Sequence, residues 1–275
     1  MNRIHMELVQ TIYDYGEYYW MIDGRPIVRY LNEAVSAGAC PRLEVFGSLE
    51  GLLPAWTGEL VWKAENRFIW EMVDSAEDLN VPVLVCEDDC DLSCIVIMAK
   101  IRKEPGTVYW DSLGVLNLEN QDFRMEKQSG ILCLEAYSDQ DWEEYGDNIA
   151  CEQFDSPEYR KWMSEHWDEE LIRRRRNYTK PYMQREENIT WICSPLWQFE
   201  RKEYERMVED YRKVYEDRMG RDWALEQNGS VWGGGVACVF LWFLCCAAYE
   251  DGWGWGQESV KFPYIKNPLR FRVYR

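Results

Sequence analysis

The sequence predicts an α+β fold, with a mainly antiparallel sheet and two or more packed amphipathic helices. Two observations support this prediction. Short β-branched runs separated by turn residues occupy the first 150 residues, and helical periodicity takes over between residues 155 and 220. The sheet and the helices are therefore expected to come from different parts of the chain.

The strands are predicted from apolar runs that flank turn signals. Asp23-Gly24-Arg25-Pro26 lies between the runs Tyr18–Ile22 and Ile27–Leu31, which predicts a β-hairpin. An acidic loop at residues 87–91 lies between Val83–Cys86 and Ile95–Ile101, which predicts a second pair of strands. Two further runs, Tyr109–Val115 and Ile131–Ala136, are also predicted strands.

Two helices are predicted from apolar residues that recur every three or four positions. The first is expected at residues 157–176, because Ser156 can cap the helix and Pro157 suits its first position. The second is expected at residues 200–219, with Gly220 placed to end it. Both helices are expected to pack an apolar face against the sheet.

We expect residues 1–275 to form a single compact domain, because the sequence has no internal repeat and no low-complexity linker. Within it we distinguish a strand-rich acidic part at 1–150, a helical part at 155–220, and a C-terminal part at 231–275. The C-terminal part holds an apolar segment and two short predicted strands. At thirteen residues the segment Val236–Ala248 is too short to span a membrane, so a buried helix is favoured over a membrane contact.

The negative charge is concentrated in the first 150 residues. The whole chain carries 31 Lys and Arg against 49 Asp and Glu, a formal charge of −18, and residues 1–150 carry 11 against 28, a balance of −17. Such a field repels nucleic acid and acidic lipid and accelerates encounter with basic partners. Solubility alone is an alternative explanation for the acidity.

The ten cysteines are interpreted as reduced thiols, many of them in apolar stretches. Residues 1–11 contain no apolar run suited to a signal peptide, which favours a cytoplasmic location without a disulfide framework. The oligomeric state cannot be read from these patterns.

Two acidic clusters are the predicted partner-binding sites. An ordinary solvated loop is the alternative for each, because carboxylates are common on surfaces. In the second cluster, aromatic rings lie among the carboxylates, a pattern that suits a basic protein with a groove for aromatic side chains. The predicted contact residues are Glu87, Asp88, Asp89 and Asp91 in the first cluster, and Asp139, Asp141, Trp142, Glu143, Glu144 and Asp147 in the second.

No metal site and no cofactor are predicted. Cys86, Cys90 and Cys94 have a C-x3-C-x3-C spacing, but a structural zinc site normally has four Cys or His ligands and neither histidine is near in sequence. The alternation of Asp89, Asp91 and Ser93 resembles the start of a calcium loop without its later glycine and glutamate.

Catalytic residues are not predicted either. His5 and His166 are the only histidines, and the chain has no G-x-S-x-G motif and no phosphate-binding glycine loop. The run Arg173–Arg176 is interpreted as the end of the first helix, where Glu169 and Glu170 lie at i,i+4 spacing to arginines, and not as a nucleic-acid site. The alternative of a carbohydrate-active enzyme or sugar-binding protein depends on carboxylates near aromatic rings.

In general character the chain resembles the immunity proteins of bacterial polymorphic-toxin systems. The resemblance is carried by acidity, by richness in Trp and Tyr, and by stretches such as residues 19–26 and 83–89. It implies a neutraliser that binds a toxin domain, often a basic nuclease, and blocks its active site. From the residues themselves we expect a non-catalytic cytoplasmic protein that binds neither nucleic acid nor membrane. The resemblance includes no diagnostic motif, so it assigns no role to any single residue.

Overall fold

The structure is a computed structural model that describes residues 1–11, 16–44, 49–131, 138–140, 142–144 and 157–227. Its strands are β1 (Ile4–Gln10), β2 (Gly16–Ile22), β3 (Arg25–Pro26), β4 (Leu53–Pro54), β5 (Leu79–Val85), β6 (Val96–Lys103), β7 (Thr107–Leu116), β8 (Ile189–Cys193) and β9 (Trp197–Glu200). Its α-helices are α1 (Ile27–Ser36), α2 (Pro41–Glu44), α3 (Lys63–Asp74), α4 (Phe123–Gln128), α5 (Pro157–Glu165), α6 (Trp167–Arg174), α7 (Lys180–Met183) and α8 (Arg201–Gln227).

The larger sheet has the strand order β4-β5-β6-β7-β8, and β9 also pairs with β7. Every pairing between the described strands is antiparallel. Strand β5 is buried along its whole length, and its one polar side chain, Asn80, donates to the Met183 backbone oxygen at 3.1 Å. The α+β fold with a mainly antiparallel sheet is therefore confirmed, as are the two strands predicted on either side of the acidic loop.

The smaller sheet, β1-β2-β3, corrects one prediction. A turn at Asp23 and Gly24 does lead from β2 into an antiparallel β3, but β3 ends at Pro26. The run Ile27–Leu31 opens α1 instead of forming a strand. Its buried residues, Ile27, Val28, Leu31 and Val35, lie on one helical face, and that longer periodicity determines the structure.

Both predicted long helices form, with different ends. The first is interrupted at His166 between α5 and α6, and it continues past Arg176 through a π-helical turn at Arg175–Thr179 into α7. The prediction that it ends at the arginines is wrong. The second, α8, does not end at Gly220 but continues to Gln227. The space beside Gly220 is open, since a methyl group added there would meet nothing within 4 Å.

Large aromatic side chains form the centre of the core. Trp20, Trp56 and Trp110 are fully buried, and their ring centroids lie 5.1–6.2 Å apart. Tyr211 of α8 stacks on Trp20 at 4.8 Å. Offset and edge-to-face packing of this kind adds to the free energy gained from burying apolar surface. The sheet and α8 therefore share one aromatic core.

Several sequence predictions lie outside the described residues. They include the apolar segment Val236–Ala248, the short strands predicted at 260–262 and 271–274, and all but the first residue of the strand predicted at 131–136. The single-domain organisation of residues 1–275 therefore stays a prediction.

We expect Gly114→Ala to lower the free energy of unfolding by about 3 kcal/mol. A methyl group on Gly114 would lie 2.6 Å from Ile189 Cγ2 and 2.8 Å from the backbone oxygen of Thr190. The matched control is Gly106→Ala, because a methyl group there meets nothing within 4 Å and should leave stability unchanged or slightly higher. Urea denaturation of both variants tests this; equal stability would contradict the β7–β8 packing.

Candidate functional site

The predicted acidic loop, residues 87–91, lies within the connection 86–95 between β5 and β6, and the whole connection, called the acidic loop from here on, is fixed by backbone hydrogen bonds. The Cys86 N–H donates to the Ile95 oxygen at 3.0 Å, and the Cys90 N–H donates to the Cys86 oxygen at 3.0 Å. The Cys90 oxygen in turn accepts from the Val61 N–H at 2.9 Å. Cys90 has a left-handed backbone with φ of +48°. The loop therefore has a defined path across neighbouring segments.

The structure separates the four acidic residues of this loop by exposure. Asp88 and Asp89 are exposed, whereas Glu87 and Asp91 are half-buried. The Asp91 Oδ1 accepts hydrogen bonds from the backbone N–H and the hydroxyl of Ser93, at 2.8 and 2.7 Å. Burial raises the pKa of Asp91 despite these bonds. Asp91 thus helps to shape the loop, and Asp88 and Asp89 present charge to solvent.

A fully buried carboxylate, Glu65 of α3, lies beneath the loop. Glu65 Oε2 accepts from the Leu92 N–H at 3.2 Å, and Glu65 Oε1 accepts from two nitrogens of Arg175 at 2.6 and 3.0 Å. Burial raises the pKa of Glu65 to about 7, against the opposing effect of Arg175. The guanidinium and the loop backbone therefore share one buried acceptor.

Arg175 extends this buried network across the π-helical turn. It donates to Glu126 of α4 at 3.0 Å and to the Thr179 hydroxyl at 3.1 Å. Sequence analysis missed the pairing of Glu65 with Arg175, which are 110 residues apart. The available signal was the position of Glu65 on the apolar face of α3, in helical register with Phe68, Ile69 and Met72.

The other arginines of the run 173–176 also lie among protein groups. Arg174 Nε is 2.5 Å from Glu170 Oε1, which confirms the predicted i,i+4 pair, and both side chains are buried. Arg176 is exposed and donates to Glu71 of α3. Three of the four arginines thus have acidic partners within the fold, which supports the structural interpretation of this run.

Two cysteines of the acidic loop come together in the structure. The sulfur atoms of Cys86 and Cys94 and a carboxylate oxygen of Asp89 all lie within 4.8 Å of one another. A hydrogen bond from the Cys94 thiol lowers the pKa of Cys86 to about 7, and the same bond raises the pKa of Cys94. Cys90 is directed elsewhere: its Sγ donates to the Glu87 oxygen at 2.8 Å.

The second acidic cluster is described in part. Residues 139–140 and 142–144 are helical, and Asp139, Glu143 and Glu144 are exposed. Trp142 is 44% exposed, which is high for so large an apolar ring. The remaining predicted contacts, Asp141 and Asp147, lie outside the described residues. The described members are thus exposed residues in the helical stretches 139–140 and 142–144.

The exposed carboxylates of the two clusters are grouped along the chain and lack ion pairs, whereas exposed acids outside the clusters are of both kinds, paired and, like Glu44, Glu77 and Glu187, without an ion pair to any described residue. Within the described residues, no lysine or arginine forms an ion pair with the side chains that we call the unpaired acids, namely Asp88, Asp89, Asp139, Glu143 and Glu144. By contrast, Glu186 pairs with Lys100 at 2.6 Å and Glu71 with Arg176 at 2.5 Å. The unpaired acids are therefore accessible to a cation of another molecule.

A cleft of about 230 Å³ lies between the end of α3 and the first half of α8. Its carboxylates are already paired, Asp74 with Arg212 and Glu205 with Arg201. Tyr204 is the single aromatic residue among its lining residues. A sugar site typically presents aromatic platforms beside free carboxyl groups. This cleft therefore gives no support to the carbohydrate alternative.

Comparisons of the chain with protein-family models, with curated proteins and with solved structures found no match. The resemblance to immunity proteins therefore stays a prediction. Across the described part of the chain, no helix has both the length and the apolarity that crossing a membrane requires.

Proposed function

We propose that this protein acts without catalysis by binding a basic protein partner, in the manner of an immunity protein that neutralises a bacterial toxin. The observation that carries the proposal is the set of unpaired acids, which lie in the acidic half of the chain. Exposed carboxylates without a local cation are available to lysines and arginines of another molecule.

The acidic loop is suited to such binding because its shape does not depend on a partner. Its backbone is bonded to residue 61 and, through Leu92, to the buried Glu65. A loop that is ordered before binding loses little conformational entropy in the complex, so more of the interaction free energy appears as affinity. Asp88 and Asp89 are held on such a loop.

The helical residues 142–144 add an aromatic ring to the charge. Trp142 lies next to Glu143 and Glu144, and its half-exposed indole can enter a pocket on a partner. Tryptophan is enriched among residues that dominate binding free energy, whereas surrounding charges mainly set the association rate. We therefore expect the carboxylates to raise the rate of association with the partner and Trp142 to lower the rate of dissociation.

Charge reversal of the second cluster is expected to slow association at least about tenfold at low salt, because steering depends on the local field. The test variant is D139K/E143K/E144K. The matched control, E44K/E77K/E187K, makes the same change in net charge at exposed acids outside the clusters. Its association rate should stay within about twofold of the wild type if the position of the charge matters.

The experiment begins with immobilised wild-type protein and an extract of its native host, at about 0.05 M and about 0.5 M NaCl. We expect a basic protein to be retained at low salt and released at high salt. With that protein purified, surface plasmon resonance compares the wild type, both triple variants and W142A, for which dissociation should accelerate. The proposal fails if no basic protein is retained, or if control and test variants slow association equally.

A further inference from the structure

The acidic loop contains three potential metal ligands that converge on one point. Cys86 directly follows the buried strand β5, Cys94 precedes β6, and Asp89 lies at the exposed turn between them. Their two sulfur atoms and one carboxylate oxygen are within 4.8 Å of one another. In a tetrahedral zinc site, with bonds of about 2.0–2.3 Å, such donor atoms are about 3.5–3.8 Å apart. A shift of about 1 Å per side chain therefore brings these three donors to bonding distance.

We propose that this loop binds one Zn²⁺ ion through Cys86, Asp89 and Cys94, with water in the fourth position. Thiolate sulfur combined with a carboxylate oxygen is a donor set that favours zinc over the hard cations Mg²⁺ and Ca²⁺, which take oxygen ligands. The fourth position opens to solvent because Asp89 is exposed and Cys94 is only half-buried. This inference does not depend on the proposed function.

Contacts around the three ligands support this selection of residues. The Cys86 N–H donates to the Ile95 oxygen and the Cys90 N–H donates to the Cys86 oxygen, which fixes the backbone that carries the first ligand. Cys90 is not a ligand, because its Sγ donates to the Glu87 oxygen. Asp91 is not a ligand either, since Ser93 occupies its Oδ1. The proposed ligands therefore follow the spacing C-x7-C with an aspartate between the cysteines, and the middle cysteine of the C-x3-C-x3-C pattern is not used.

Bound zinc would link the two ends of the loop to its turn. The backbone bond from Cys86 to Ile95 already closes the base of the loop, and the ion would add a connection through Asp89. Neighbouring carboxylates, including Asp88 and Glu87, lower the local potential and attract a divalent cation. The ion would thereby fix the backbone that carries Asp88.

The test uses Co²⁺ as a spectroscopic probe for zinc on the full-length reduced protein. We expect the wild type to develop the thiolate-to-cobalt charge-transfer absorption, and Zn²⁺ to displace the cobalt with loss of that absorption. C94S should weaken cobalt binding at least about 100-fold, because loss of an outer-shell partner alone costs about 10–100-fold. D89N should also weaken binding and keep the charge-transfer absorption.

The matched control is C90S, which removes a thiol from the same loop without removing a proposed ligand. It should bind cobalt as the wild type does. Circular dichroism of each variant checks that folding is intact. If a cysteine variant does not fold, D89N still tests the site, because Asp89 is exposed and its substitution should not disturb the fold. Absence of the absorption in the wild type, or an equal absorption in C94S, overturns the proposal.

Discussion

Replacing Glu65 by alanine should lower the free energy of unfolding by about 3–5 kcal/mol, the range observed when one partner of a buried ion pair is removed. The side chain is fully buried and accepts from Arg175 and from the Leu92 backbone. Its loss leaves Arg175 in the interior with Glu126 as its remaining acidic partner. The Leu92 N–H loses its acceptor at the same time, which adds to the cost.

The same helix provides a matched control. Glu71 of α3 also pairs with an arginine, Arg176, but both side chains are about half exposed. E71A should therefore change stability by less than about 1 kcal/mol. E65Q keeps an acceptor for Arg175 and Leu92 and should recover part of the loss seen in E65A. Chemical denaturation followed by tryptophan fluorescence measures all three; equal losses for E65A and E71A would contradict the buried network.

Trp20→Ala should destabilise the protein by about 3–5 kcal/mol, because it empties the centre of the aromatic core. Trp20 is fully buried, lies 5.1 Å from Trp56 and 6.0 Å from Trp110, and stacks on Tyr211 at 4.8 Å. The rigid neighbouring rings and the strands that carry them cannot collapse into the space, so most of the cavity should persist.

Trp142→Ala is the control for this substitution, since it removes the same side chain from a half-exposed position. We expect it to change stability by less than about 0.5 kcal/mol. Thermal denaturation followed by circular dichroism distinguishes the two variants. If W142A proved as destabilising as W20A, Trp142 would be a packing residue, and its assignment as a partner anchor would fail.

The elements predicted correctly from the sequence are those in which apolar residues repeat regularly over a long stretch of the chain. Strand β6 and helix α8 were found because their apolar residues recur over seven or more positions, whereas only the second half of β5 was predicted, as part of the run Val83–Cys86. The short run Ile27–Leu31 fits a strand and a helix equally well, and the buried Val35 four residues further on decides for the helix. The end of α8 was misplaced because an exposed glycine weakens a helix without ending it.

The candidate site likewise has a part that was predicted from the sequence and a part that was not. The exposed acids were identified from the sequence because a cluster of charge is visible without a structure. The buried pair of Glu65 and Arg175 was not, because tertiary packing alone brings together residues so distant along the chain. The approach of Cys86 to Cys94 depends on the path of the loop, which includes a left-handed backbone at Cys90. That conformation is uncommon for cysteine, so the sequence did not predict it.

The bond between the Leu92 backbone and Glu65 has a consequence for genetic screens. Because the Leu92 N–H of the acidic loop donates to the buried Glu65, substitutions in the protein interior should change the conformation of the loop and so weaken its binding to other molecules. A random screen for loss of partner capture should therefore return changes at Glu65 and Arg175 alongside changes at Asp88. The interior changes would be recognised by a lowered melting temperature, whereas changes at Asp88 would leave the melting temperature of the protein intact.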